Sequence, residues 1–441
     1  MRQRFRWARL PVTVGFVAAV CGGAGRARAQ AADPAGVPAV APSVEHYVAQ
    51  ALAGHPRLET AYQRWLAARH HAAAAGPFPE VVVSYGYFLQ RVETRVGPQR
   101  HRVSVSQRFP WPARLRALDD AAASRAVAWR RRYEATALAV REEVARAYWE
   151  LWFERESGRV LGAQVELINV VLEVARARVA VGSSSVADVQ RLELDATRLR
   201  DRAVQAEARA RVGQVQLAAS VGVEPVEPVA VASIPPRLER VTEPRDALLA
   251  AANRHPELVE FDARAQAFER DARAHRIRAR PSLRLGVDWI ETGRGAAAVT
   301  DAGKDPVLIH AAVAVPLAQR KLAAQAEASR ALARTEQSAR RARLVAATAE
   351  IDRLLVLVDD TRRRAAMYEQ TLIPQARATF DAVVGAYAGG QGSVAAVLAV
   401  ERELLEFEVE LARTRVDHAV AWAGLERAVG RPVVGVVEFR S

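Results

Sequence analysis

The side chains with the widest chemical repertoire are scattered along this chain in a way that rules chemistry out. There are nine histidines and one cysteine, Cys21. His70 and His71 are adjacent, so on a helix they point roughly 100° apart. No His-x-x-x-His pair and no second cysteine completes the ligand set of a zinc site. No glycine-rich phosphate loop follows a strand, and no nucleophile stands near a base in a recognisable constellation. A metal site, a cofactor and catalysis are therefore not expected. What remains is a set of charged and polar residues that recur at alternate positions. They are Ser84, Arg102, Ser104, Ser106, Arg108, Arg284, Asp288 and His310. Residues of this kind can hydrate a passage and bias the ions within it.

Those residues belong to four segments with period two. Val81, Val83, Tyr85 and Tyr87 oppose Ser84 and Gly86, and Val103, Val105 and Phe109 oppose the second polar set. Leu283, Leu285, Val287 and Trp289 oppose Arg284, Gly286 and Asp288, while Ile309 and Val313 share a face opposite His310. Each segment is about the length of a membrane-crossing strand. Apolar-out, polar-in alternation is the pattern of an outer-membrane barrel. A sheet half-buried on a helical core alternates in the same way. The arginines on the polar face and the aromatic residues Tyr85, Tyr87 and Trp289 towards the loop-side ends favour the barrel. Four strands do not close a useful barrel, and an open edge is not viable in lipid. The chain must then associate, in a number the residues do not fix.

Long helices must carry these strands. No proline occurs between Pro112 and Pro225, and the stretch is rich in Ala, Leu, Arg and Glu, broken only at Gly182-Ser183-Ser184-Ser185. A helix over about 114–181 would be roughly 100 Å long. Its apolar positions, from Leu115 through Trp129 and Val140 to Leu151, step 3-4-4. That repeat of about 11 residues keeps packed helices nearly straight, as the wall of a tube requires. Pro374 should kink its helix or mark a junction. Motifs also recur. His55-Pro56-Arg57-Leu58 returns as His255-Pro256-Glu257-Leu258. Gly182-x-x-Ser185-Val186-Ala187 returns as Gly390-x-x-Ser393-Val394-Ala395. One unit of about 180 residues is written twice, far longer than a solenoid module.

The first 29 residues read as a secretory signal: arginines, an apolar stretch from Leu10 to Ala24, then Ala27-Arg28-Ala29 as a cleavage site. Cys21 lies inside it, as a possible lipid-attachment site with which the Ala27–Ala29 site competes. Beyond the signal 57 basic residues face 50 acidic ones, a net charge of +7. They are interspersed as on solvated helix faces. No basic block is interleaved with aromatics, so nucleic acid is not an expected partner.

In this order, twice, after a signal peptide, the residues resemble the TolC family of outer-membrane efflux channels. The His-Pro-x-Leu openings carry the likeness. So do Val105-Ser106-Gln107-Arg108-Phe109-Pro110-Trp111-Pro112 with its counterpart Val313-Ala314-Val315-Pro316-Leu317, and Gly182 followed six residues later by Asp188. The resemblance spans about residues 44–430. It implies a homotrimer with a twelve-stranded membrane β-barrel and a long α-helical barrel through the periplasm. It also implies a passive duct docked to a periplasmic adaptor and an inner-membrane pump. The hairpin tips at Gly182, Ser183, Gly390 and Gln391 would meet the adaptor, and Asp188 with Tyr387 would form a gate. The family's arginine two after the second glycine is Gly392 here, and acidic positions that narrow the mouth in some members are Ala396 and Ala399.

The expected organisation is a signal at 1–29, an Ala/Pro-rich leader at 30–43, a first repeat at 44–222 and a Pro-rich connector at 223–243. A second repeat follows at 244–430 and a tail at 431–441. The fold class is mainly α with a small antiparallel β part. The outward-facing, lipid-side set is Val81, Val83, Tyr85, Val103, Val105, Leu283, Leu285, Val287, Trp289, Ile309 and Val313. The competing readings are a periplasmic coiled-coil adaptor or scaffold, which needs one hairpin and no lipid-facing strands, and a secreted enzyme, for which no active site is visible. The cargo is not readable, because in such a system the pump selects it.

Overall fold

The computed structural model describes residues 42–224, 229–294 and 300–436. The signal, Cys21, most of the leader and the end of the tail lie outside the described residues. The chain is mostly helical with a small antiparallel β part. Helices α1 (Val44–Gly54) and α2 (Pro56–Ala73) lead into strands β1 (Val82–Thr94) and β2 (Gly97–Phe109). Helix α3 (Pro112–Ala180) and helix α4 (Val186–Val221) form the first hairpin. A short strand β3 (Arg240–Val241), then α5 (Arg245–Ala252) and α6 (Pro256–Arg278), open the second half. Strands β4 (Ser282–Thr292) and β5 (Val307–Ala314) precede α7 (Gln319–Met367), α8 (Ile373–Ala388), α9 (Val394–Val429) and β6 (Gly435–Val436).

Helix α3 has 69 residues, about 100 Å at ~1.5 Å per residue. It begins on Pro112, whose missing N–H is no loss in a first turn. None of the eleven positions from Leu115 to Leu151 in its 3-4-4 stripe is exposed. Between α7 and α8 the helical path continues through a π-turn at Tyr368–Leu372, just before Pro374. The wider turn accommodates a proline that cannot donate to the ladder, so the expected junction takes this form.

The recurring motifs have physical reasons. The rings of His55 and His255 cap α2 and α6, each Nδ1 accepting from a backbone N–H two residues on, Arg57 at 3.0 Å and Glu257 at 3.1 Å. Since Nδ1 accepts, Nε2 of His255 carries the proton and donates to the Arg427 carbonyl at 3.0 Å. Gly222 and Gly430 end α4 and α9 with φ of +84° and +82°. A Cβ on Gly222 would lie 2.7 Å from Pro56 Cδ, and one on Gly430 would lie 2.8 Å from His255 Cδ2. Each glycine thus supplies a left-handed cap and lets a His-Pro corner approach. The Gly-x-x-Ser motif is the other end of each hairpin. Gly182 and Gly390 have positive φ, and Ser185 and Ser393 cap α4 and α9 through their side chains, worth about 1 kcal/mol each.

The lower interior lies between α3, α4, α8 and α9, where Ile168, Leu172, Leu192, Val397 and Leu405 pack together. A small two-stranded sheet, β3 with β6, ties the connector to the C-terminal segment.

Candidate functional site

Two places gather the residues singled out by the sequence: the four-stranded sheet and the hairpin tips. The sheet has strand order β1-β2-β4-β5, antiparallel throughout. Pairing of β2 with β4 joins the two halves of the chain. Its register sets one apolar row, Val83–Val105–Val287–Ile309, beside a second, Tyr85–Val103–Trp289–Val307. Phe109, Leu283 and Val313 form a third. The apolar face is not covered by the chain itself: Val83 is 68% exposed, Ile309 78% and Val313 65%. Val81 lies just before β1 and is exposed, as are Tyr85, Val105, Leu283, Leu285, Val287 and Trp289, whereas Val103 is half-buried.

That face changes character at one level. His101, in register with Tyr87 and Glu291, bonds to the Tyr85 hydroxyl at 2.7 Å and to Glu291 at 3.3 Å. Strand β1 continues to Thr94, past a register shift between Tyr87 and Val92. Tyr85 and Tyr87 therefore mark a boundary within β1 rather than its end.

The opposite face holds the polar set. Ser84, Ser104 and Asp288 stand in one row, Ser106, Gly286 and His310 in the next, and Arg108 and Arg284 directly opposite each other beyond. Asp288 is the hub. Its side chain is 1% exposed and accepts from Ser104 Oγ, from Arg102 at 2.8 Å and faces His310 Nδ1 at 3.2 Å. Gly286 makes room for this cluster, since a Cβ there would meet the His310 ring at 2.6 Å. Arg108 and Arg284 have no carboxylate opposite them in register. Like charges at that spacing repel, and Arg108 is left exposed.

At the tips, the structure brings Asp188 and Tyr387 into one chain of hydroxyl contacts. Ser184 Oγ donates to Asp188 Oδ2 at 3.2 Å and lies 3.3 Å from the Tyr387 hydroxyl. The expected pair is thus bridged by a serine. Sequence reasoning missed Arg178, which crosses from the first hairpin to the second. Its guanidinium donates to the carbonyl oxygens of Tyr387 and, at 2.8 Å, Ser183. It also lies 4.7 Å from the centre of the Tyr387 ring, within cation–π range. Tyr387 is buried, whereas Gly182, Ser183, Gly390 and Gln391 are exposed at the turns. The signal that pointed to Arg178 was only its place in the last turn of α3.

Glu401 was also missed. It is fully buried in the hairpin interior, and neither oxygen has a hydrogen-bond partner. Nearby Asp195 pairs instead with Arg402 at 3.2 Å. Burial, reinforced by the charge of Asp195, pushes the Glu401 carboxyl up to about 7.

Among the described residues no helix is long and apolar enough to cross a membrane, and no group of three or more His, Cys, Asp or Glu could hold a metal ion.

Residues 47–223 match a family model described as outer membrane efflux protein. No curated protein matches the chain in sequence. Solved structures share its fold. The outer membrane protein VceC from Vibrio cholerae superposes with a TM-score of 0.73 at 21% identity, over 88% of this chain and 96% of its own. CusC gives 0.74 at 15% identity, over 89% and 93%. The CmeC outer membrane channel of Campylobacter jejuni gives 0.70 at 14%, over 88% and 85%. The first half of the chain is thus similar to the outer membrane efflux protein family over residues 47–223, and the chain shares the fold of these outer-membrane proteins.

Proposed function

We propose that the chain is one subunit of a trimeric outer-membrane channel, the passive exit duct of an efflux or secretion system. The observation that carries this reading is the four-stranded sheet. It is apolar and uncovered on one face, charged on the other, and mounted on long helices, of which α3 is about 100 Å long. A soluble sheet would be covered on its apolar side. This one has two free edges, β1 and β5, which lipid does not tolerate. Three copies give twelve strands, within the range of known membrane barrels. The polar row then faces water inside, and the Tyr85–His101–Glu291 level marks the outer boundary of the lipid band. The two repeats, the connector and the tail supply the helical barrel and its belt. The hairpin tips at Gly182–Ser183 and Gly390–Gln391 are the docking points for a periplasmic adaptor, which joins the duct to an inner-membrane pump. Asp188, Ser184, Tyr387 and Arg178 hold the tips closed.

Membrane fractionation, followed by electrophoresis without heating and by planar-bilayer recording, tests the reading. An outer-membrane, heat-resistant trimer that conducts is expected. A freely soluble periplasmic monomer would overturn it and favour an adaptor or scaffold.

A further inference from the structure

The junction between sheet and helices holds a feature that the duct does not use. A cavity of about 920 Å³ opens between α6 and α7, with Ala113 at the start of α3 on its margin. Its wall carries Arg270, Arg273 and Arg276 from α6, Arg280 just beyond the end of that helix, and Arg330 and Arg334 from α7. One carboxylate, Glu269, faces these six, and it accepts from Gln337 at 3.3 Å. Arg270 is engaged with the Asp120 carbonyl and Ser124, and Arg330 with Glu327. Among the described residues Arg273, Arg276 and Arg334 have no hydrogen-bond or ion-pair partner, and all three are exposed. Cationic groups crowded in a concavity focus a positive potential there. Guanidinium forks match phosphate oxygens in geometry as well as charge.

The place of the cavity on the wall follows from the helix faces. Arg114 lies within electrostatic reach of Arg108, on the polar face of the sheet, and of Arg278. Arg276 is two residues from Arg278, so it points roughly 160° away from it around α6, while Arg280 lies just beyond the end of the helix. Arg280 instead lies over the ring of Trp111 at 5.9 Å, and the Trp111 indole N–H donates to the Pro281 carbonyl at 2.6 Å. An exposed tryptophan under an apolar strand face is at home at a membrane–water interface. The arginine cavity is therefore on the outer side of the wall, directly below the lipid-facing rows.

We propose that this cavity binds a phosphate-bearing anion, the headgroup of an anionic phospholipid in the periplasm-facing leaflet. The proposal rests on the channel reading for the position of the bilayer. Arg276 and Arg280 engage the phosphate at headgroup level, with Arg273 and Arg334 behind them. The acyl chains lie along the uncovered strand face. Basic pockets at this depth are a recurrent form of lipid recognition.

The test places the full-length protein in nanodiscs of phosphatidylcholine, with or without phosphatidylglycerol, and counts retained lipids by native mass spectrometry. Wild type should retain phosphatidylglycerol in preference to phosphatidylcholine. The variant R273Q/R276Q/R334Q should bind it about a hundredfold more weakly, at about fivefold per arginine. R273K/R276K/R334K, which keeps the charge, should retain an intermediate affinity. A parallel arm adds inorganic pyrophosphate to the detergent-solubilised trimer. Stabilisation by pyrophosphate with no lipid preference keeps the phosphate site but assigns it to a dissolved anion. Equal retention of both lipids without a pyrophosphate effect, or a glutamine variant indistinguishable from wild type, overturns the proposal. Failure of the protein to insert and conduct would instead strike the channel reading itself.

Discussion

A carboxyl group with no exposed surface and no partner must hold its proton or weaken the packing around it, and Glu401 is in that position. Among the described residues the charges that reach it are Asp195 and Arg202 from α4 and Arg402 from its own helix. Its folded value of about 7 lies above its ordinary 4.5. The folded state then binds more protons than the unfolded one between these limits. The stabilising contribution is whole below 4.5 and is lost as pH rises to about 7, roughly 3 kcal/mol across the window. Buried His418 works in the opposite sense. Burial lowers it to about 4, so its contribution grows as pH rises from 4 to 6.5 and masks part of the Glu401 effect. The difference between wild type and E401Q isolates the glutamate. E401Q should melt higher than wild type at pH 8, with the gap closing at pH 5, and a gap that does not change with pH would refute the assignment. At the tips, Arg178→Ala removes the only described side chain that bonds the Tyr387 carbonyl, and Tyr387→Phe removes the hydroxyl contact with Ser184. Both should lengthen open times in single-channel records, R178A more than Y387F, because it loses charge-assisted bonds as well as a ring contact. Wild-type closure in both would mean that neither contact holds the gate.

At the scale of elements, the corner where the end of a hairpin meets the His-Pro start of the short helix that precedes it is the most demanding local geometry. Gly222→Ala would put a Cβ 2.7 Å from Pro56 Cδ at a φ of +84°. The left-handed penalty alone is about 1–2 kcal/mol, and the contact adds to it. Gly182→Ala, with positive φ but open space around it, should lose only the first part. Thermal melts of the two variants should rank in that order, and equal losses would mean that the corner yields. This corner was legible in part. The recurrence of His-Pro-x-Leu and of the glycine-terminated helices was visible, and helix propensity with absent prolines marked α3 to within two residues at each end. Alternation placed β2 and β4 because each strand's two faces meet different surroundings. What the sequence could not show depends on pairs far apart in it. Asp288 is satisfied by Arg102 and Ser104, about 185 residues away, and this requires the β2–β4 register. Glu401 sits on a helix face no more polar by pattern than its neighbours, and only the packing of the hairpin interior, which brings Asp195 of α4 near it, buries it. Arg178 reaches a carbonyl 209 residues on. The extension of β1 beyond Tyr87 escaped because the alternation breaks at its register shift.

For the whole molecule the sign of the passage follows from which charges are cancelled within the sheet. Asp288 is the one carboxylate among the polar-face residues singled out from the sequence, and it is already paired with Arg102 and faces His310. Arg108 and Arg284 stand opposite each other without a counter-charge in register. In the proposed trimer, closing three such sheets into one barrel would multiply this excess by three and wrap it around an aqueous lumen, where low-dielectric walls strengthen the field. At the other end, the positions where the family resemblance would put acids that narrow the mouth are Ala396 and Ala399. The assembled duct should prefer anions. In a salt gradient the reversal potential of the wild-type trimer should take the anion-selective sign. R108Q/R284Q should move it towards zero, because the uncancelled charge is removed. D288N should move it further towards anions, because Arg102 is then released from its partner. All three shifts should shrink as salt rises and the Debye length falls to about 3 Å at 1 M. A wild-type channel with strong cation preference would show that the charges governing permeation lie elsewhere than on this face of the sheet.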